Sequence, residues 1–199
     1  MTVPAARPPF DASSYLDWEA DQPEKHEYLV GEVFAMAGAS EAHVTLAGNV
    51  FMALRNHLRG GPCSVFISDM KLRVEADNAF FYPDVFVTCA ETDRAHSHYK
   101  AALSLVVEVL TPTTSAYDRG AKFAAYRKLP SLREYVLVDT ERLSIDLFRR
   151  GDGGHWVLCP SEAGDTVEFA RVGLSVPMER LYEDVSVSVG AVVVPGPAV

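Results

Sequence analysis

Leu105-Val106-Val107-Glu108-Val109-Leu110 sets one acid inside an otherwise unbroken apolar run. A strand apolar on both faces belongs in the middle of a sheet. A lone carboxylate there costs on the order of several kcal/mol unless it is paired or holds a metal. Upstream, Tyr82-Pro83-Asp84-Val85 puts a second acid inside the strand-like run from Ala79 to Thr88. Downstream, Lys122 falls in a predicted helix over Arg119 to Leu129, closed by Pro130. Two acids on neighbouring strands with a lysine close by are the groups a magnesium-dependent phosphodiesterase needs. Magnesium is usually held by one or two carboxylates, it lowers the pKa of bound water and offsets phosphate charge, and a lysine stabilises the negative transition state.

The elements around this stretch read as an α/β domain. Ser13 or Ser14 caps a short helix through Tyr15, Leu16 and Trp18, and Glu27 to Met36 reads as two short strands turning at Val30-Gly31. Val44, Ala47, Val50, Phe51, Leu54 and Leu58 follow helical spacing from Ala42 to Leu58, and Gly60-Gly61-Pro62 stops that helix. Ser64 to Val74 and Ala79 to Thr88 read as two strands joined by the Glu75-Ala76-Asp77-Asn78 turn, and Leu103 to Leu110 as a central strand ended by Thr111-Pro112. Ser115 and Asp118 are candidate caps for the helix that carries Lys122. Glu134–Asp139 and Leu143–Phe148 form a strand pair, with further strands near His155–Leu158 and Val167–Ala170. A mixed β-sheet flanked by helices follows, with additional β-hairpins.

Length and composition set bounds on this picture. The 199 residues, 48% of them hydrophobic, suit a single domain with a substantial core. Residues 1–12 read as a loose, proline-rich arm, 13–185 as the core, and 186–199 as a tail that is either an edge strand or disordered. No apolar run is long enough to cross a bilayer and no signal peptide is evident, so no membrane partner and a cytoplasmic location are expected. Cys63, Cys89 and Cys159 are odd in number and widely spaced, which argues against a disulfide framework or a thiolate zinc site. The net charge of −9 argues against a protein that coats DNA. Between 119 and 150, however, eight basic residues face four acidic ones, a local surplus of four that suits either a solvated face or a phosphate-facing surface.

Each candidate residue also has an ordinary reading. An aspartate after proline is usually a turn former, Glu108 could pair with Lys122, Lys71 or Arg73, and a single lysine is usually a surface residue. The combination is what points to chemistry.

The chain also resembles a known family. Tyr82-Pro83-Asp84-Val85, the run from Leu105 to Thr114, Tyr117-Asp118-Arg119-Gly120-Ala121-Lys122-Phe123-Ala124-Ala125-Tyr126 and Leu129-Pro130-Ser131-Leu132-Arg133-Glu134-Tyr135 are similar to the Uma-type putative restriction endonucleases of the PD-(D/E)xK nuclease superfamily. Glu27-Tyr28-Leu29-Val30-Gly31-Glu32, His43 and Ser68-Asp69 also fit that pattern, and the resemblance spans about residues 13 to 185. It implies a restriction-endonuclease-like core, magnesium-dependent cleavage of DNA with manganese as a possible substitute, and Asp84 and Glu108 as the metal ligands. The superfamily motif expects lysine two residues after the second acid, but Leu110 stands there, and Lys122 matches the position from which the Uma-type pattern supplies it. Glu41 or His43 on the preceding helix could add to the site, with His43 the stronger candidate for an active-site neighbour. A homodimer would let one small site cut both strands. The competing readings are a catalytically silent nucleic-acid-binding or assembly module, and a small metal-dependent hydrolase of nucleotides.

Overall fold

The structure is a computed structural model and describes residues 10–187. Helix α1 (Ala12–Ala20) is followed by strands β1 (His26–Leu29) and β2 (Glu32–Ala35), helix α2 (Glu41–His57), and strands β3 (Ser64–Ile67), β4 (Lys71–Val74), β5 (Ala79–Phe81) and β6 (Val85–Thr88). Next come β7 (Tyr99–Lys100) and β8 (Leu103–Leu110). One irregular helical stretch follows: α3 (Ser115–Tyr117), a π turn over Asp118–Lys122, and α4 (Phe123–Tyr126). The described chain ends with β9 (Glu134–Asp139), β10 (Ser144–Arg150), β11 (Trp156–Glu162), β12 (Thr166–Phe169), β13 (Leu174–Pro177) and α5 (Met178–Leu181).

Six strands form the central sheet in the order β11-β10-β9-β8-β6-β3, and five form a second sheet in the order β2-β1-β5-β4-β7. Only β8 and β9 run parallel in the central sheet, and the α3–α4 stretch makes the crossover between them. All eight residues of β8 are buried, as its apolar pattern requires of a strand covered on both faces. On one face Leu105, Val107 and Val109 pack with Leu46, Val50 and Leu54 of α2. On the other, Val106 and Leu110 pack with Phe81 of the second sheet and with Ala125 and Tyr126 of α4. The mixed α/β architecture expected from the sequence is what the chain adopts.

Several local expectations need correction. The runs 64–74 and 79–88 are not single strands, because each divides between the two sheets. Ser68 adopts φ 53° where the first run breaks, a conformation that ends regular pairing for an L-residue. Pro83, with no amide to donate, breaks the second. Asp11 rather than Ser13 or Ser14 caps α1, its Oδ1 accepting from the Ser14 amide at 2.8 Å. The helical stretch bearing Lys122 begins at Ser115, so Asp118 lies within it and is no cap. The end of the N-terminal arm is also ordered by packing: Phe10 meets the rings of Tyr15, Trp18 and Tyr28. Residues 1–9 and the tail from 188 onward lie outside the described residues.

The cysteines give the clearest correction. Cys63 and Cys89 form a disulfide, while Cys159 is free. Ser64 pairs with Thr88 across β3 and β6, so the residues one step beyond them face each other, 4.0 Å apart at Cα. Strand pairing, not spacing in the sequence, brings them together.

Candidate active site

Val85 pairs with Val107 in the antiparallel β6–β8 ladder; Asp84 comes immediately before β6, and Glu108 follows Val107 between Val106 and Leu110, which face α4. Asp84 Oδ2 accepts the Val109 amide at 2.7 Å. The same oxygen lies 3.3 Å from His43 Nε2, which reaches over from the first turn of α2. Ser40 caps that helix, accepting the His43 amide at 3.3 Å and so fixing where the histidine begins. Glu41, two residues earlier, is exposed and makes no contact with Asp84 or Glu108 among the described residues.

Glu108 is 2% exposed and Lys122 7%. Lys122 Nζ donates to Glu108 Oε1 at 3.3 Å, and Tyr126 Oη donates to the same oxygen at 2.7 Å. Lys122 also meets Glu27 Oε1 at 3.1 Å and Asp118 Oδ1 at 3.4 Å, and its ammonium lies 5.7 Å from the Tyr117 ring. The alternative partners for Glu108 are engaged elsewhere: Arg73 bonds Glu75 and Asn78, and Lys71 sits 5.2 Å from the Tyr82 ring. The π turn spans Asp118 to Lys122, a wide turn of the kind often found at functional sites.

The electrostatics follow from four acids sharing one lysine and one histidine. Burial pushes the Glu108 carboxyl well above its ordinary range; Lys122 opposes this, and Asp84 and Asp118 reinforce it. Burial likewise raises Asp118 against the pull of Lys122. Burial disfavours the charge on Lys122, yet Glu108, then Glu27 and Asp118, overcome it and hold the lysine well above its usual value. His43 is raised as well, since the bond and charge of Asp84 outweigh its burial. Four acids, Glu27, Asp84, Glu108 and Asp118, thus share two basic partners, Lys122 and His43.

A cluster richer in acids than in bases suits a cation. Among the described residues no three His, Cys, Asp or Glu side chains converge as a ready-made cage, but magnesium needs only one or two protein carboxylates. The contacts of Asp84 fall on Oδ2 and those of Glu108 on Oε1, which leaves one oxygen of each available. The donor set, hard carboxylate oxygens on β8 and just before β6, fits magnesium or manganese.

All four residues picked from the sequence, His43, Asp84, Glu108 and Lys122, thus meet in one place. Glu27 and Asp118 were not among them. Asp118 had a readable signal, since it stands four residues before Lys122 on a helix. Glu27 had no signal beyond its place in the family-like string Glu27–Glu32, because only the folding of β1 beside β5 brings it to Lys122.

A family model described as a putative restriction endonuclease, Uma2, matches residues 12–179. The chain belongs to the Uma2 family. It is 39% identical over 175 residues to the uncharacterized protein slr1290 of Synechocystis sp., covering 88% of this chain and 92% of that one. It is 32% identical over 160 residues to the uncharacterized protein sll1609 of the same organism, covering 79% and 90%. In three dimensions this Uma2 chain is similar to a crystal structure of a putative nuclease belonging to DUF820 from Anabaena variabilis, with a TM-score of 0.66, 15% identity, and 84% of this chain and 96% of the other covered. At that identity the likeness establishes the restriction-endonuclease-like fold alone. No helix among the described residues is long and apolar enough to cross a membrane.

Proposed function

We propose that this Uma2 protein is a metal-dependent DNA endonuclease whose working groups are Asp84, Glu108 and Lys122, with His43 holding Asp84. The observation that carries the reading is the convergence of Glu27, Glu108 and Asp118 on Lys122, with Asp84 immediately before the strand that pairs with β8. Such a cluster is costly as a purely structural ion pair and fits a cation site.

Asp84 and Glu108 would hold magnesium, or manganese in its place. When bound, the ion would supply Lewis-acid stabilisation of the phosphate and a more acidic bound water. The Val109 amide and His43 fix Asp84, and Tyr126 fixes Glu108. Lys122 stays protonated at neutral pH because its acids raise its pKa, so it acts as a positive charge for the pentavalent phosphorus and not as a base. A homodimer, presenting one site to each strand, and a cytoplasmic location with access to DNA belong to the same proposal.

The test is nicking of supercoiled plasmid. Nicking that needs magnesium, stops with EDTA and is lost in Glu108→Gln is expected. Equal background in all three samples contradicts the proposal, and hydrolysis of free nucleotides without nicking points to a different substrate.

A further inference from the structure

A second charged feature lies away from the acid cluster, where β9 begins and β10 ends. Arg133, Arg149, Arg150 and Arg171, with Glu134 and Ala170, line an open groove of about 310 Å³. In a chain of net charge −9, four guanidinium groups against Glu134 within the groove and Glu168 on its rim leave a local surplus of two positive charges. The Glu134 carboxylate organises the groove more than it neutralises it. Glu134 is buried and accepts from Arg149 Nε at 3.0 Å, the Ala170 amide at 3.0 Å and the Arg171 amide at 3.1 Å.

Two of the arginines are held in place. Arg149 Nη2 donates to the Glu168 carbonyl at 2.9 Å, and the Glu168 carboxylate stands off at 3.9 Å on the rim. Arg150 Nη1 donates to the Leu129 carbonyl at 2.9 Å, with its guanidinium 5.7 Å from the Trp156 ring. The other two, Arg133 and Arg171, are exposed, and among the described residues their guanidinium groups make neither an ion pair nor a hydrogen bond. The remaining basic residues of the 119–150 window do not form such a group: Arg119 pairs with Asp146, Lys128 with Asp77 and Arg142 with Asp139, Lys122 belongs to the acid cluster, and Arg127 lies 5.0 Å from the Phe123 ring.

We propose that this groove is a docking surface for the phosphate backbone of duplex DNA, separate from the cleavage site; the inference rests on the nuclease reading above. The planar guanidinium fork matches phosphate, and an open groove with two fixed and two free arginines admits a polymer. Glu108 pairs with Leu137, three residues along β9 from Glu134. The two features therefore differ by about 10 Å along the strand, and Glu134, in step with Val136 and Val138, lies on the opposite face of the sheet from Glu108, so the groove is a site of its own. Contacts of this kind go to phosphate, so they anchor DNA without reading its sequence.

The test is fluorescence anisotropy of a short labelled duplex of arbitrary sequence over a salt series, beside plasmid nicking by the parent with magnesium. The proteins are the parent, Arg133→Ser/Arg171→Ser, and Arg94→Ser/Arg180→Ser as a charge-matched control on exposed arginines elsewhere. The groove variant is expected to bind about ten-fold more weakly, with a salt slope smaller by about two, while the control binds as the parent does. Unchanged affinity and slope in the groove variant, with the parent nicking plasmid, overturn the groove alone. Arginine-dependent binding without nicking supports the groove and overturns the nuclease reading. A parent that neither binds nor nicks overturns both.

Discussion

Lys122 Nζ stands 3.3 Å from Glu108 Oε1 although the two residues are fourteen apart in the chain and lie on different elements. Leu110, which occupies the strand position two residues after the acid, is instead part of the apolar face against α4. The lysine that meets Glu108 comes from the crossover stretch after β8. Removing it strands three buried acids. Lys122→Met is expected to cost about 3–5 kcal/mol of stability, the scale for breaking a buried pair, and about 10²–10³ in nicking rate. Thermal unfolding and plasmid nicking check the two effects separately, and a variant as active as the parent removes Lys122 from the chemistry.

Glu108 bears the opposite relation to stability. Its carboxyl is held well above the ordinary value of 4.5, first by burial. A group with a raised folded-state pKa favours the fold while it is protonated, and that contribution is lost as pH rises through the raised value. Without metal, Glu108→Gln should therefore melt progressively higher relative to the parent as pH rises from 4.5, by about 2–4 °C for each kcal/mol relieved. Melting temperatures in EDTA across the pH range measure this. A variant that loses ground to the parent as pH rises would show that the carboxylate is content without a cation.

The Cys63–Cys89 bond closes a loop with a sequence separation of 26, and chain-entropy scaling makes such a closure worth about 3 kcal/mol. Replacing both cysteines with serine should lower the unfolding free energy by about that amount, and reducing agent should do the same to the parent. The bond ties the edge strand β3 to β6, whose other end carries Asp84. Disulfides are uncommon in reducing cytosol, so free-thiol counts on protein trapped by alkylation in cells bear on the cytoplasmic assignment as well. One free thiol is expected with the bond intact, and three without it.

The sequence was legible where a local signal exists. Glu108 stood out because valines and leucines flank it on both sides, and the β8 and α2 patterns survive folding almost unchanged at Leu103–Leu110 and Glu41–His57. Lys122 was found from its place in the helix that follows the Glu108 strand, and His43 through the family resemblance. What stayed hidden depends on pairing between distant segments. Glu27 meets Lys122 only once β1 joins the second sheet, and Cys63 meets Cys89 only once β3 pairs with β6. The division of 64–74 and 79–88 between two sheets was hidden for the same reason: an apolar run shows that a strand is buried but not which sheet buries it.

Anomalous scattering from a crystal soaked in manganese asks without intermediates whether Asp84 and Glu108 together hold a divalent cation. One strong peak between the two carboxylates, lost in Asp84→Ala, is expected. A manganese peak elsewhere in the molecule, or a peak between them that survives Asp84→Ala, would contradict a cation site built from this pair.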